Sequence, residues 1–169
     1  MISMDKGLMF LINRQIENYK RLAGLIEDEQ KGLMNLDLDL LHETTRAKEG
    51  VAEDIRLLVQ PLAERIREFA RTSGLPADPL PTLAQLAEHT EKPLAEFFRK
   101  SGQTLARLKR DISRHNKDNR WFIQEALGLV ENSLSILTGV TLNETHQYQQ
   151  TGLKVRSQPL SPLRLNREV

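Results

Sequence analysis

Chemistry in a protein first shows in its histidines, cysteines, carboxylates and hydroxyls, and here their spacing is uninformative. The four histidines are His42, His89, His115 and His146. None lies three or four residues from another, the spacing that sets two imidazoles on one helical face around a metal. The Glu-x-x-His pattern of di-iron bundles does not occur either. There is no cysteine, so there is neither a thiolate nor a disulfide framework. A glycine-rich phosphate loop, a nucleophile elbow and a Ser/His/Asp arrangement are all missing. The residues offer no catalytic group, no metal site and no cofactor site, and the chain reads as a non-enzyme.

Charge offers a second kind of chemistry. Arg99, Lys100, Arg107, Lys109, Arg110, Arg114, Lys117 and Arg120 crowd one stretch, and from Lys92 to Arg120 nine basic residues face three acidic ones. Such a stripe could hold nucleic acid or another anionic partner. Few aromatics interrupt it, which argues against base stacking. The expectation is instead that acids at Glu27, Asp28, Glu29, Asp37, Asp39, Glu43, Glu49, Glu53 and Asp54 flank it inside one bundle. The formal net charge of +1 makes the whole molecule no bulk polyanion binder.

These residues sit on helices. In the first segment, from about Asp5 to Met34, Ile12, Tyr19, Ile26, Leu33 and Leu40 recur every seven residues, the narrow seam of a coiled coil. Asn35 and Asp37 suggest a turn; one continuous helix is the alternative. The second helix, from about Leu38 to Thr72, has Leu41, Thr44, Lys48, Val51, Ile55, Leu58, Leu62, Ile66 and Phe69 on its seam. Pro61 inside it predicts a kink. The stretch from Ser73 to Pro81, with three prolines and a glycine, breaks the pattern. A short helix from Thr82 to about His89 then resembles a lid over one end.

The third long helix opens at Pro93, suited to a first helical position. Its seam is Leu94, Phe98, Ser101, Leu105, Leu108, Ile112, His115, Asn119, Phe122, Ala126, Leu129, Ser133 and Ile136. The two earlier helices are expected to cover it as antiparallel partners, giving an all-α, coiled-coil-like bundle of three long helices. His115 reads as a satisfied core or boundary histidine. Asn119 reads as a polar seam residue that fixes register at some cost in stability. Trp121 reads as packing. Glycines at positions 24, 32, 50, 102 and 128 each cost about 1 kcal/mol against alanine in a helix, which packing must offset. The bundle is expected over 1–139. The stretch 140–169 reads as a partly disordered tail, basic but carrying Leu153, Val155, Leu160, Leu163 and Leu165, as segments that fold on a partner often do. No apolar run reaches the roughly 20 residues that cross a bilayer, and no signal peptide is visible, so a cytoplasmic location is expected.

The order of these features resembles the FlgN-like flagellar type III export chaperones. The resemblance covers nearly the whole chain. It rests on Glu17-Asn18-Tyr19-Lys20-Arg21-Leu22, on the Leu36-Asp37 turn followed by Leu40-Leu41, on the Lys48 row, and on Asn116-Lys117-Asp118-Asn119-Arg120 leading into Phe122-Ile123. Tyr148-Gln149-Gln150-Thr151-Gly152 is similar to the tyrosine-then-glycine element that follows the family's last long helix. The resemblance implies a protein that holds hook–filament junction (hook-associated) proteins in the cytoplasm and delivers them to the export gate. It implies client binding at Leu129, Leu134, Leu137, Val140 and Leu142, where a helix-forming client terminus would lay its apolar face. It also implies gate docking at Tyr148. Two other functions stay open on the residues alone: a coiled-coil assembly adaptor, and a helical nucleic-acid-binding protein.

Overall fold

The computed structural model describes residues 5–138. Among them every regular element is a helix: α1 (Lys6–Asn35), α2 (Leu38–Thr72), α3 (Leu83–Glu88) and α4 (Leu94–Thr138). By its internal contacts the chain divides into residues 1–126 and 127–169. That division falls inside α4.

The turn at 35–37 resolves the continuity of the first two helices. The Leu36 N–H donates to the Leu33 carbonyl and the Asp37 N–H to the Gly32 carbonyl, at 3.4 and 2.9 Å. Two orphan carbonyls are thereby satisfied in a Schellman closure. The geometry requires a left-handed residue, and Leu36 takes it at φ 55°, ψ 33°. Asp37 then caps α2 by accepting from the Leu40 N–H at 3.0 Å. A side chain at Gly32 would meet Leu41 at 3.0 Å, so this glycine lets the helices approach just before the turn. Gly24, Gly50 and Gly128 have open space around them. Packing does not offset the cost of those three, contrary to the sequence expectation.

Cross-helix contacts give the directions. Arg65 pairs with Asp5 at 3.0 Å, and Lys48 pairs with Glu29, so α1 and α2 are antiparallel. Phe98 shares a core with Leu8 and Ile12, Lys109 lies over Tyr19, and Asn119 bonds to Ile26. Residue numbers rise together along α1 and α4, so these two run in the same direction. The expected antiparallel placement of α1 against α4 is thus not seen, while α2, antiparallel to α1, meets α4 through the Phe69 and Phe98 rings. Pro93 also sits just ahead of α4, its carbonyl accepting from the Phe97 N–H at 3.2 Å. Pro61 is exposed within α2, which continues through it.

The apolar core gathers at the end where α1 begins. Leu8, Ile12, Ile16, Ile66, Phe69, Leu94 and Phe98 are buried there, each full burial worth about 1.5–3 kcal/mol. The rings of Phe69 and Phe98 meet edge to face at 5.5 Å. Helix α3 closes this end with Leu86 and Ala87, both buried. Its start is fixed by a reciprocal capping box between Thr82 and Gln85.

Candidate functional site

Helix α4 carries three surfaces of different character. The first is its polar seam. Asn119 is 2% exposed. Its Nδ2 donates to the Ile26 carbonyl at 3.1 Å and to Glu29 Oε2 at 3.0 Å. The other Glu29 oxygen accepts from Lys48 Nζ. One carboxylate on α1 thus receives a donor from α2 and another from α4. The signal for this knot was present in the sequence as a lysine on the apolar seam of α2, but its partner on α1 was not foreseen. Asn119 Oδ1 and His115 Nδ1 are buried with no hydrogen-bond partner among the described residues. His115 is thus half-buried with one ring nitrogen unsatisfied, not the satisfied histidine expected.

The second surface is apolar. The expected seam is covered as far as Asn119 and then opens. Phe122, Leu129 and Ile136 are exposed, as are Leu127, Val130, Leu134 and Leu137. Trp121 is 57% exposed rather than packed in a core, touching the Phe122 ring edge-on. The alternation of three and four continues through both regions because the pattern records which helix face is apolar, not whether a partner covers it. Ile123, Leu127, Val130, Leu134 and Leu137 form a second row at coiled-coil spacing, beside the seam that holds Leu129. At 3.6 residues per turn, Leu129 stands roughly 140° around the helix from Leu134. The expected client-binding leucines therefore divide between two adjacent rows. Val140, Leu142 and Tyr148 lie outside the described residues.

The third surface is a groove of about 850 Å³ within residues 1–126. Tyr19 and Glu29 line it from α1, and Lys109, Ile112, Asn116, Lys117, Arg120 and Ile123 line it from α4, with Ser113 and Gln124. Lys109 Nζ stands 5.4 Å from the Tyr19 ring centroid, a cation–π contact. The acids of α1 and α2 do not flank the basic stripe as ion partners. Asp28 pairs with Lys31 and Glu53 with Arg56, each three residues away, while Glu29 serves Lys48. Neighbours one turn apart on a helix reach each other at little cost in side-chain order, and α4 is left out. Within it Arg114 meets Asp111 at 3.6 Å, and Lys92, just ahead of it, meets Glu96 at 3.8 Å. Among the described residues Lys109, Lys117 and Arg120 have no ion pair.

Among the described residues, an apolar helix end that is exposed and a helical scaffold that shows no catalytic constellation fit a protein that binds other proteins. The model of a known family, described as FlgN protein, matches residues 1–156. The chain belongs to the FlgN family. FlgN membership carries the general role of a flagellar export chaperone, and the match reaches past α4 to include Tyr148. Comparisons with curated proteins and with solved structures give no match. Among the described residues, no helix of this chain is long and apolar enough to cross a membrane.

Proposed function

We propose that this chain binds hook-associated junction proteins in the cytoplasm and delivers them to the type III export gate without chemistry of its own. The observation that carries the reading is the exposed run Leu127, Leu129, Val130, Leu134, Ile136 and Leu137 on α4 in a member of the FlgN family. Each of its two rows, one through Leu129 and Ile136 and one through Leu127, Val130, Leu134 and Leu137, has the spacing that receives the apolar face of a partner helix. The proposal assigns capture to Leu129, Leu134, Leu137, Val140 and Leu142 and gate docking to Tyr148. It assigns the scaffold to 1–139, a coiled-coil-like three-helix bundle with His115 and Asn119 on its polar seam, and partner binding to the tail at 140–169. No cofactor or metal takes part.

The test is truncation after Gly139. The shortened chain is expected to keep its helicity and to bind a client terminal peptide more weakly, because it loses Val140 and Leu142 while keeping Leu129, Leu134 and Leu137. Unchanged affinity would sink the proposal. The exposed coiled-coil row also favours a second reading, an assembly adaptor that works by self-association. Light scattering separates them: a chaperone stays a small species until client is added, whereas an adaptor grows with its own concentration.

A further inference from the structure

The export-chaperone reading uses the later part of α4 and leaves the groove between α1 and α4 unassigned. This groove is cationic where ordinary bundle surfaces mix signs. Lys109, Lys117 and Arg120 all line it. The carboxylate in its wall, Glu29, is already engaged by Lys48 and Asn119. Lys109 and Arg120 are eleven positions apart, roughly 16 Å along the helix axis. Lys117 and Arg120 are neighbours at i, i+3. Ile112, Ser113 and Asn116 lie between Lys109 and Lys117, and Ile123 and Gln124 follow Arg120.

We propose that this groove docks an acidic amphipathic helix of another protein, its carboxylates meeting Lys109, Lys117 and Arg120 and its apolar residues resting on Ile112 and Ile123. Two features favour a peptide over a nucleic acid. The groove's single aromatic, Tyr19, has its face taken by Lys109 and offers no open ring for base stacking. Ile112 separates Lys109 from the other two cations and Ile123 follows Arg120, which suits a helix carrying both acidic and apolar positions better than a continuous phosphate backbone. Three carboxylates, one at the start of such a helix and the others about two and three turns along it, would match the cations. The inference rests on the groove alone and does not depend on the identity of the export client.

The test uses the full chain and a fluorescein-labelled synthetic helix of about three heptads with glutamates on one face beside leucines. Binding is measured by anisotropy at low salt. Lys117→Glu with Arg120→Glu is expected to weaken binding by about tenfold or more, and the neutral pair Lys117→Gln with Arg120→Gln by about threefold. The control, Arg107→Glu with Arg110→Glu, makes the same charge change on exposed positions outside the groove, and is expected to change affinity by less than about twofold. Circular dichroism checks that all variants keep their helix content. Equal losses in groove and control variants would overturn the proposal in favour of diffuse charge. So would undiminished binding of a peptide with the same composition and scrambled glutamates, or no binding at low salt. Tighter binding of a single-stranded oligonucleotide, lost in the groove variant, would replace the peptide with nucleic acid. Truncation after Gly139 leaves the groove residues in place, so failure of the client reading and failure of this one are distinguishable.

Discussion

Replacing Glu29 by alanine removes the acceptor that α2 and α4 share. The side chains of Lys48 and Glu29 are 21% and 12% exposed. Two charge-assisted bonds disappear, each worth about 1.5–3 kcal/mol. The lysine ammonium can still extend toward water along its flexible stem, which reduces the loss. Together these place the destabilisation of Glu29→Ala at about 2–4 kcal/mol. Lys48→Ala is expected to cost about 1–2 kcal/mol, since Glu29 keeps its bond from Asn119. The double variant should be less than additive by about 1–2 kcal/mol, because removing both charges leaves neither stranded. Asn119→Leu adds a separate check. It surrenders the bonds to Ile26 and Glu29 but also removes a buried oxygen without a partner. The net change is expected to stay within about 1 kcal/mol, while Asn119→Ala, which leaves a void, should cost about 2–3. Urea unfolding followed by circular dichroism gives these values from the shift in midpoint at constant slope. Additivity of Glu29→Ala and Lys48→Ala, or a Glu29→Ala loss below about 1 kcal/mol, would refute the idea that this carboxylate ties three helices together.

Leu36 occupies a left-handed conformation that glycine adopts freely, so Leu36→Gly is expected to raise stability by about 1 kcal/mol in thermal melts; a lowered melting temperature would contradict this. Gly24→Ala and Gly50→Ala, with open space around each, should each add about 0.5–1 kcal/mol. Gly32→Ala should subtract stability because its methyl meets Leu41 at 3.0 Å, and a gain there would show that the leucine yields easily. Glu53 is held below its ordinary value of 4.5, chiefly by the hydrogen bond from Arg56. A lowered carboxyl pKa contributes stability above the unfolded value, and that contribution fades as pH falls through the folded one. The parent and Glu53→Gln should therefore differ only slightly, as befits exposed groups, and should converge in acid; a difference that grows below pH 4.5 would reverse the sign.

Helix positions and buried faces were legible because one physical signal, three-and-four spacing, runs through all three long helices. The turn was legible because Asp37 is a good cap, although nothing in a leucine announces that it will take a positive φ. Helix direction was not legible. Seam spacing is the same whether a neighbour runs with the helix or against it, and only contacts such as Asn119 with Ile26 distinguish the two. The exposed end of α4 was not legible either, since Leu129 and Ile136 follow the same rule as Phe98. The acids near the basic stripe misled for a related reason: composition reports which charges coexist, while side-chain reach decides which of them meet.

The crowding of apolar side chains where α1 begins has a consequence for motion. Phe98, Leu8, Ile12 and Leu86 are sealed there, whereas at Asn119 α4 is held to α1 by polar bonds and the seam beyond it is exposed. Backbone amides near Phe98 should exchange with solvent only through global unfolding, while those approaching Ala126 should exchange through local opening. The first unit is in effect hinged by its own gradient of protection. The later turns of its last helix can loosen and reform while the sealed end keeps the chain folded.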